Sequence, residues 1–341
     1  MDQVAIVILN YNGRSFLSQF LPSVLSCSDG CPVYVADNHS TDDSVALLQA
    51  QFPEVRLIRL PVNLGYAGGY NAALKQIRAT YYVLLNSDVE VTPDWIGPLR
   101  AFMEAHPEVA ACQPKIRAFP APGYFEYAGA AGGYIDYLGY PFCRGRLFDT
   151  IEEDRGQFDD AREVFWATGA CMLVRSEVFH RLGGFDPRFF AHMEEIDWCW
   201  RVKNAGYQVW YCPDSVVYHV GGGTLPKSNP NKTLLNYRNS LAMLYKNLPT
   251  RNVFLNILIR LVLDGFSGMR LLAGGHWRDV LAILKAHYAF YSWLPYLRRQ
   301  RNALADLRNN RIVHRQIYPR SIVWQYFVKG RKTFDELDGN H

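Results

Sequence analysis

Four short polar clusters follow apolar segments in the first two thirds of the chain, and all four carry side chains that bind metal ions, bind phosphate or move protons. In chain order they span residues 37–42, 63–71, 86–88 and 192–198. They combine carboxylates and amides with glycines and histidines. Carboxylate and amide oxygens bind divalent cations, and a bound cation neutralises the charge of a diphosphate. The clusters therefore favour an enzyme that holds a nucleoside diphosphate through a metal ion.

The cluster with the clearest metal chemistry is Asn86-Ser87-Asp88, which follows the apolar segment 81–85. A carboxylate at the end of a buried strand can hold Mg²⁺ or Mn²⁺ while the metal binds two phosphates. The same three residue types also form turns in many proteins. Because the other clusters accompany this one, we interpret Asp88 as a metal ligand and Asn86 as part of the same nucleotide site.

The two clusters that precede it fit the nucleoside part of such a ligand. Asp37 ends an apolar segment and is placed to accept from a pyrimidine N3–H or a ribose hydroxyl, although Asp37-Asn38 also suits a helix N-cap. Asn63 opens a glycine-containing run that extends through Gly68 to Asn71. This run is not the dinucleotide-binding fingerprint. It still permits close backbone approach to phosphate or ribose groups at the start of a helix.

Three acids, Glu194, Glu195 and Asp197, lie at the start of a predicted helix. Acids at this position complement the helix dipole, and Asp197 is spaced to pair with Arg201 four residues later. Crowded carboxylates also raise one another's pKa, which suits a general base. The cluster is therefore the candidate for the base, although the structural explanation accounts for part of it.

His219 follows an apolar pair at 216–217 and precedes three glycines at 221–223. A lone histidine is more often structural than a metal ligand. The glycines favour a flexible loop that closes over a substrate. From the residues alone, a structural role and a functional role for His219 are equally open.

Strands and helices alternate along the first part of the chain. The predicted strands are 4–9, 32–36, 55–59 and 81–85, and the predicted helices are 15–25, 44–51 and 69–79. Such alternation is typical of an α/β fold with a mostly parallel sheet and helices on both faces. Ligands of these sheets bind beyond the carboxyl ends of the strands, where Asn10, Asp37, Asn63 and Asp88 are expected.

The remaining chain divides into a loop-rich part and a helical part. Residues 112–160 are rich in Gly, Pro and Tyr and are predicted to be irregular. Helices are predicted at 252–272 and 277–291. We therefore expect an α/β domain at residues 1–245 and a helical, basic C-terminal extension at residues 246–341.

Composition limits the partners and the compartment. The 341 residues are 49% hydrophobic with a net charge of +4, which is enough apolar content for a large core and too little charge to favour nucleic acid. The seven cysteines include no Cys-x-x-Cys pair. This argues against a zinc site or a disulfide framework and favours a reducing cytosol. The N-terminus has no basic n-region, so no signal peptide is expected.

The C-terminal extension has features of a membrane-binding region. The apolar run 253–266 is interrupted by Arg260 and Asp264, so it is too short to span a bilayer. It fits either a buried amphipathic helix or one that lies in the membrane interface. Residues 298–332 contain ten Lys or Arg and one acid, Asp306. A basic stretch beside an apolar helix favours an anionic membrane surface as a partner.

Residues 3–245 resemble the family 2 inverting glycosyltransferases, whose fold is called GT-A. The resemblance is carried by the opening strand with Asn10-Tyr-Asn-Gly, by the four clusters, and by Gly183-Gly-Phe-Asp186 with Cys199-Trp-Arg201 after the acids. The chain is most similar to bacterial rhamnosyltransferase-like enzymes that build surface polysaccharides. Two motifs depart from the family pattern. The usual Asp-x-Asp is Asn86-Ser87-Asp88, which leaves one metal carboxylate, and the usual Glu-Asp pair is Glu194-Glu195.

The resemblance implies roles for single residues. It places the base at Glu195, with Glu194 and Asp197 as competitors, and the Mg²⁺ or Mn²⁺ on Asp88, with His219 as a second ligand. The nucleotide sugar is expected against Asn10, Tyr11, Asp37, Asn38, Asn63, Gly68, Asn71, Asn86 and Asp88. The acceptor is expected beside Trp166, Thr168 and Gly169.

The expected activity is inverting transfer of a sugar, such as rhamnose, from a nucleotide-diphosphate donor to a hydroxyl of a lipid-linked or saccharide acceptor. We expect it in cell-surface polysaccharide synthesis, at the cytoplasmic face of the membrane. Two other classes stay open. A sugar nucleotidyltransferase would carry a basic glycine-rich loop where this chain has residues 10–14. An inactive polysaccharide-assembly scaffold would not need Asp88 or the acid cluster.

Overall fold

The computed structural model describes residues 2–221, 229–248, 253–307 and 314–337. Strands and helices are numbered in chain order. The strands are β1 (Asp2–Asn10), β2 (Val33–Asp37), β3 (Arg56–Arg59), β4 (Ala79–Asn86), β5 (Val89–Val91), β6 (Val109–Ala118), β7 (Ala121–Phe125), β8 (Gly133–Asp136), β9 (Pro141–Cys143), β10 (Arg146–Leu147), β11 (Thr150–Ile151), β12 (Arg162–Val164), β13 (Cys171–Arg175), β14 (Gln208–His219) and β15 (Ile317–Tyr318). The helices are α1 (Arg14–Ser26), α2 (Ser44–Gln51), α3 (Gly65–Leu74), α4 (Ile96–Ala105), α5 (Ser176–Arg181), α6 (Glu194–Asn204), α7 (Pro230–Asn247), α8 (Val253–Ala273), α9 (Trp277–Ala303) and α10 (Ile322–Phe327), with a 3₁₀ turn at Pro187–Phe189.

A large mixed sheet forms the centre of the fold. Its path through the described residues runs β12-β14-β6-β13-β4-β1-β2-β3. β1 to β4 are parallel to one another, whereas β13 lies between β4 and β6 and runs antiparallel to both. The predicted α/β fold with a central sheet and flanking helices is confirmed. The sheet is mixed because the chain re-enters it through β13 in the opposite direction.

Burial on both faces of the sheet explains the continuous apolar run of β1. Val4, Ile6 and Ile8 pack into one hydrophobic cluster, whereas Ala5 and Val7 pack into the cluster on the opposite face. Each of these five side chains is at most 2% exposed. A strand covered by helices on both sides needs no polar residue until it reaches its end. In β1 the first polar residue after Gln3 is Asn10.

The prediction that residues 112–160 are irregular is wrong. This segment contains most of β6 and all of β7 to β11, and a second sheet forms in the order β11-β10-β9-β8-β15. Its strands are two to four residues long, too short for a period to show in the sequence. β15 comes from the C-terminal part of the chain and pairs with β8, with Ile317 opposite Ile135. Tyr318 is buried there, so the C-terminal segment completes a sheet begun near residue 133.

Helix α8 is polar on its protein-facing side and apolar on its outer side. Arg260 and Asp264 are 2% and 1% exposed. Arg260 donates to Leu138 O and Ser240 Oγ, both at 2.8 Å, and Asp264 contacts His287 Nε2 at 3.1 Å. The helix is thus attached to the body of the protein through the hydrogen bonds of these two buried charged groups, with Arg260 Nε left without a partner. No helix within the described ranges is long and apolar enough to cross a membrane.

Candidate active site

The carboxyl ends of β1, β2 and β4 meet at one edge of the sheet, as the sequence predicts. Asn10 lies opposite Asp37, and Leu9 lies opposite Asn86. Asn10 Nδ2 donates to Asp37 Oδ1 at 3.2 Å and to Ser40 Oγ at 3.1 Å. Asp37 is 3% exposed, and Asn10 Oδ1 is buried without a hydrogen-bond partner. The edge therefore holds an oriented carboxylate and a polar atom that a ligand can satisfy.

The loops after β1 and β2 are tied together beside this edge. Asn12 N donates to Ser40 Oγ at 2.9 Å, and Asn12 Oδ1 accepts from Thr41 N at 2.7 Å. Tyr11 lies in the first of these loops with 39% of its surface exposed, so its ring is accessible to a nucleobase. An open cavity of about 430 Å³ adjoins the loops. Its lining residues include Asp37, His39, Ser40, Asp42, Asp43 and Arg59.

Asn38, Asn63 and Gly68 build the turn that follows β3. Asn38 Nδ2 donates to Asn63 Oδ1 and to Gly65 O, both at 3.0 Å, and Leu64 N donates to Asn38 Oδ1 at 2.9 Å. A Cβ at Gly68 would lie 2.9 Å from the Cβ of Leu64. α3 therefore begins at Gly65 rather than at residue 69 as predicted. The amides of Asn38 and Asn63 are engaged within the protein, and their contribution to a ligand is the shape of the backbone beside Asp37.

Asn71 links the nucleotide side of the site to the acid cluster. Its Nδ2 donates to Phe185 O at 2.8 Å, and its Oδ1 accepts from Phe185 N at 3.0 Å. Gly184 has a φ of +65°, and a Cβ there would lie 2.4 Å from Asn71 Oδ1. Both polar atoms of Asn71 are thus used to fix the turn that leads to α6. Asn71 therefore has a structural role between the nucleotide side of the site and the acid cluster.

Asp88, His219 and Glu126 form a buried line of charges beyond β4. His219 Nε2 lies 3.1 Å from Asp88 Oδ1, and His219 Nδ1 lies 3.3 Å from Glu126 Oε2. Burial opposes ionisation of Asp88, but the hydrogen bond and charge of His219 outweigh it and hold the pKa of Asp88 below its ordinary value. Burial also opposes protonation of His219, but Glu126 and Asp88 raise the pKa of His219 to about 10. The imidazole is therefore charged at neutral pH.

The donor set at Asp88 and His219 would fit a divalent ion that displaces the proton on His219 Nε2, since histidine ligates metals in its neutral form. Two ligands on adjacent positions of an octahedral Mg²⁺ or Mn²⁺ lie about 3 Å apart, which matches the 3.1 Å between Asp88 Oδ1 and His219 Nε2. Asn86 Nδ2 is 3.5 Å from His219 Nε2, so the amide of Asn86 lies beside the Asp88–His219 pair. Glu126 faces the other ring nitrogen, as carboxylates behind metal-bound histidines do. The described residues contain no group of three or more His, Cys, Asp or Glu arranged around one metal position.

Glu194 and Glu195 begin α6 and lack compensating cations. Glu194 is 4% exposed and Glu195 is half-buried, and one carboxylate oxygen of each has no hydrogen-bond partner. Burial raises the pKa of Glu195 to about 7. Burial and then the charge of Glu195 raise the pKa of Glu194 well above its ordinary range. A carboxylate with a pKa near 7 can accept a proton at neutral pH, so Glu195 is the better suited of the two to act as a base.

Asp197 has the opposite environment. Its Oδ2 accepts from Lys246 Nζ at 3.0 Å and Arg201 Nε at 3.1 Å, and its Oδ1 accepts from Asn247 Nδ2 at 2.8 Å. Burial alone would raise its pKa, but the charges of Lys246 and Arg201 outweigh burial and lower it. The Asp197–Arg201 pair that the sequence spacing predicts is present. A fully buried, ionised carboxylate with both oxygens occupied is poorly suited to accept a substrate proton.

The segment that precedes the two glutamates is strained. Phe190, His192 and Met193 have φ values of +65°, +70° and +71°, a conformation that costs free energy in residues with a side chain. Asn239 Nδ2 on α7 lies 2.8 to 2.9 Å from three carbonyl oxygens of this segment, those of residues 189, 191 and 192. Burial lowers the pKa of His192 to about 4. Such strain at the entrance to a catalytic helix is typical of functional sites.

Tyr66 connects the acid cluster to the predicted acceptor residues. Its hydroxyl donates to Gly169 O at 2.6 Å, and burial together with the charges of nearby groups, Glu194 among them, raises its pKa. The next residue, Ala170, accepts from Asn86 N through its carbonyl at 2.9 Å. Tyr66, which feels the charge of Glu194, is thus connected through residues 169 and 170 to the strand end that carries Asn86.

Trp166 and Thr168 are engaged inside the protein. Trp166 Nε1 donates to Tyr134 O at 2.9 Å, and Thr168 Oγ1 donates to Ala128 O at 2.6 Å. Both side chains are at most 4% exposed. They support the wall behind Gly169, whose carbonyl lies at the end of the Tyr66 contact. Residues 222–224 of the predicted closing loop lie outside the described residues.

Three contributors to the site were missed from the sequence: Glu126, Tyr66 and Asn239. Glu126 belongs to the segment that was predicted to be irregular. Tyr66 lies within a recognised cluster, where the glycines and asparagines drew the interpretation. Asn239 lies on α7 with no local motif around it. The only available signal was that Asn239 is a polar residue close to the apolar run 241–245 of the same helix.

The mixed sheet with its flanking helices defines the GT-A fold. The solved structure of GalNAc-T7 with UDP, GalNAc and Mn²⁺ superposes with a TM-score of 0.55 at 15% identity, covering 72% of this chain and 48% of that one. Residues 1–349 of TarS from S. aureus superpose with a TM-score of 0.53 at 14% identity, covering 89% and 88%. At these identities the similarity establishes the fold.

Sequence relatives give the family. The profile of glycosyl transferase family 2 matches residues 5–183. An N-acetylglucosaminyl-diphospho-decaprenol L-rhamnosyltransferase of Mycobacterium tuberculosis is 30% identical over 237 residues, covering 64% of this chain and 76% of the relative. The O-antigen biosynthesis protein RfbC of Myxococcus xanthus is 32% identical over 211 residues, covering 60% and 16%. The chain belongs to glycosyl transferase family 2, and the predicted resemblance and enzyme class are confirmed.

Proposed function

We propose that this enzyme transfers rhamnose, with inversion, from a nucleoside diphosphate donor to a hydroxyl of a lipid-linked N-acetylglucosamine acceptor in cell-surface polysaccharide synthesis. The observation that supports proton transfer is the raised pKa of Glu195. This residue lies at the same end of the sheet as the Asp88–His219 pair. The choice of rhamnose and of the acceptor is supported by the similarity to the mycobacterial rhamnosyltransferase.

The donor would occupy the edge of the sheet. Its base would stack on the exposed ring of Tyr11, and Asp37 would accept from the base or the ribose. Asn38, Asn63, Gly68 and Asn71 would act by fixing the backbone around the nucleotide. Asp88 and His219 would hold Mg²⁺ or Mn²⁺, with Asn86 beside them. When bound, the metal ion supplies positive charge that stabilises the leaving nucleoside diphosphate.

The acceptor would approach from the side of α6. Glu195 would remove the proton of the acceptor hydroxyl, and the freed oxygen would form a bond to the anomeric carbon as the bond from that carbon to the diphosphate breaks. Attack from the face opposite the leaving group inverts the anomeric centre. Gly169, with Trp166 and Thr168 behind it, would border the acceptor.

A reconstituted transfer assay tests the proposal. A thermal-shift screen of nucleoside diphosphate sugars with Mn²⁺ should first show stabilisation by a rhamnose donor, because a ligand that binds the native state raises the melting temperature. Transfer should then require this donor, the metal and a diphosphate-lipid N-acetylglucosamine acceptor together. The product should have the anomeric configuration opposite to that of the donor, as NMR of the new linkage would report. Pyrophosphate release from a nucleoside triphosphate would instead support the nucleotidyltransferase alternative.

We also propose that the C-terminal region, residues 246–341, places the enzyme at the inner face of the cell membrane. α8 directs Arg260 and Asp264 inward, and the outer faces of α8 and α9 are apolar with exposed cations beside them: Arg270, Arg278 and Lys285. The exposed apolar residues are Phe254, Leu255, Leu258, Val262, Phe266, Met269, Leu272, Trp277, Leu281, Leu284, Tyr288 and Tyr291. An apolar face flanked by cations suits the interface of an anionic bilayer.

Substitutions on this face should release the protein from vesicles. Leu258 and Phe266 are 58% and 59% exposed, so the double variant Leu258→Glu/Phe266→Glu should fold normally. Each large apolar side chain contributes roughly 1.5–3 kcal/mol when buried. We therefore expect binding to phosphatidylglycerol vesicles, measured by co-sedimentation, to weaken by at least about 100-fold. Ile151→Glu, on the second sheet, is the matched control. Unchanged sedimentation, or dispersal of a dimer by the double variant, would contradict the membrane assignment.

A further inference from the structure

Two arginines, Arg188 and Arg238, lie beside the strained segment before Glu194 and form no ion pair with a carboxylate of the described chain. Arg238, on α7, donates from Nη2 to Phe189 O at 3.3 Å and from Nε to Asn239 Oδ1 at 2.9 Å. Arg188 lies on the 3₁₀ turn and is exposed. Both arginines therefore lie beside the segment that leads to Glu195, and neither has a role in the sugar transfer proposed above.

Aromatic rings of α9 orient both guanidinium groups. Arg238 Cζ lies 4.2 Å from the centre of the Trp293 ring. Arg188 Cζ lies 4.1 Å from the centre of the Tyr296 ring and 5.9 Å from that of Trp293. Stacking on a ring fixes the guanidinium plane and leaves its N–H edge available for a planar or tetrahedral anion.

The nearest acid is already satisfied by other groups. Asp186 Oδ1 accepts from Arg188 N at 3.1 Å and from the Tyr296 hydroxyl at 2.8 Å, and Asp186 Oδ2 accepts from Lys246 Nζ at 2.7 Å. Burial lowers the pKa of Arg238 to about 10, so the group stays charged at neutral pH. A partly desolvated cation without a carboxylate is costly unless an anion joins it.

We infer that Arg188 and Arg238 form a binding subsite for the diphosphate of the lipid-linked acceptor. The inference rests on the proposed function for the identity of the acceptor. The charge and fork geometry of two arginines suit phosphate oxygens, which they bind in bidentate fashion. The metal pair Asp88–His219 is the place for the donor diphosphate, so this second cationic pair is free for another phosphate group.

The position of the pair in the fold favours the acceptor as the source of that phosphate. The strained segment that Arg238 contacts leads directly into Glu194 and Glu195. The arginines stack on Trp293 and Tyr296. These two rings belong to the same helix as the exposed apolar residues Tyr288 and Tyr291. The order from base to arginine pair to apolar face matches the order from sugar hydroxyl to diphosphate to prenyl chain.

Calorimetric titration of the full chain with geranyl diphosphate, without nucleotide or metal, tests the subsite. We expect binding to the wild type and an affinity at least about 10-fold lower in Arg188→Met/Arg238→Met, which keeps much of the side-chain packing while removing both charges. Geraniol should show no such difference. Arg181→Met on α5 removes a similar stacked arginine, whose Cζ lies 5.1 Å from the Tyr207 ring, and is the matched control.

Further arms separate the sources of phosphate and the possible structural role. Inorganic pyrophosphate that binds as tightly as geranyl diphosphate would overturn the assignment to a lipid-linked ligand. A loss of nucleoside diphosphate affinity equal to the loss for geranyl diphosphate would reassign the pair to the donor and overturn it as well. Weaker binding of the double variant to phosphatidylglycerol vesicles would assign the pair to bulk lipid headgroups instead. Unchanged geranyl diphosphate affinity in a folded double variant would contradict the subsite. The assay needs no sugar transfer, so its result stands even where the proposed donor or acceptor sugar fails.

Discussion

Replacement of Asp88 by alanine is expected to lower sugar transfer by about 1,000-fold or more. Asp88 is the one carboxylate of the Asn86-Ser87-Asp88 motif, and its pKa lies below the ordinary value because of His219. Without it, the site retains an imidazole and an amide, which bind Mn²⁺ far less well than a carboxylate does. We expect Mn²⁺-dependent binding of the nucleoside diphosphate, measured by calorimetry, to be lost together with turnover.

Two further variants make this result specific to the metal. Asp88→Asn keeps the shape of the side chain and should lose activity to a similar extent, since the lost feature is the charge. Glu90→Gln removes a carboxylate two residues along the chain, on β5, and should leave transfer and Mn²⁺ affinity within about two-fold of the wild type. Full turnover by Asp88→Ala would show that the assignment of the metal to this position is wrong.

The positions of Asn10, Asp37 and Asp88 could be predicted because they depend on local information. Each follows an apolar run, and parallel strands bring their carboxyl ends to one edge whatever the loops between them do. The start of α6 at Glu194 could be predicted for the same reason, since the acid-rich first turn is a local signal. Family resemblance then added roles to residues whose placement was already expected.

Other features depend on partners that are distant in the sequence. Asn71 was assigned to the nucleotide, yet its amide atoms bind the backbone of Phe185, 114 residues later. Asp197 was a candidate base, and its i, i+4 partner Arg201 was expected, but Lys246 and Asn247 on α7 were not. No local pattern specifies which of many buried polar groups will meet.

Helix α8 shows how a correct local observation can leave its meaning open. Arg260 and Asp264 interrupt the apolar run, which correctly argues against a membrane span. Only the packing shows that both charges face the protein, where Leu138, Ser240 and His287 satisfy them. The outer face is therefore uninterrupted, and the interruption in the sequence says nothing against contact with a membrane surface.

The two neighbouring glutamates are separated by their environments. Glu194 is almost fully buried, and burial together with the charge of Glu195 raises its pKa well above the ordinary range, so it holds a proton more tightly than an exposed glutamate does. Glu195 is half-buried and has a pKa of about 7. At neutral pH a large fraction of it is therefore ionised. A general base works best when its pKa lies near the working pH. Glu195 is therefore the better candidate for the base.

Glu195→Gln should accordingly lower kcat by about 10²- to 10⁴-fold while leaving the affinity for the donor nucleotide within about two-fold. Wild-type kcat/KM should rise with pH to a plateau, with a midpoint near 7, because the base must be ionised. This rise should be absent from the residual activity of the variant. Glu194→Gln should retain most of the plateau rate with a midpoint close to that of the wild type, since burial rather than Glu194 raises the pKa of Glu195.

Stability measurements distinguish loss of the base from loss of the fold. The pKa of Glu195 is raised from 4.5 to about 7 in the folded state, so the folded protein binds the proton more tightly than the unfolded chain does. Stability contributed by this group is present below about pH 4.5 and is lost as the pH rises to about 7. Glu195→Gln should therefore have a higher Tm than the wild type at pH 8 and little difference at pH 4.5. An inactive variant that is also less stable at pH 8 would mean that Glu195 supports the structure rather than the reaction.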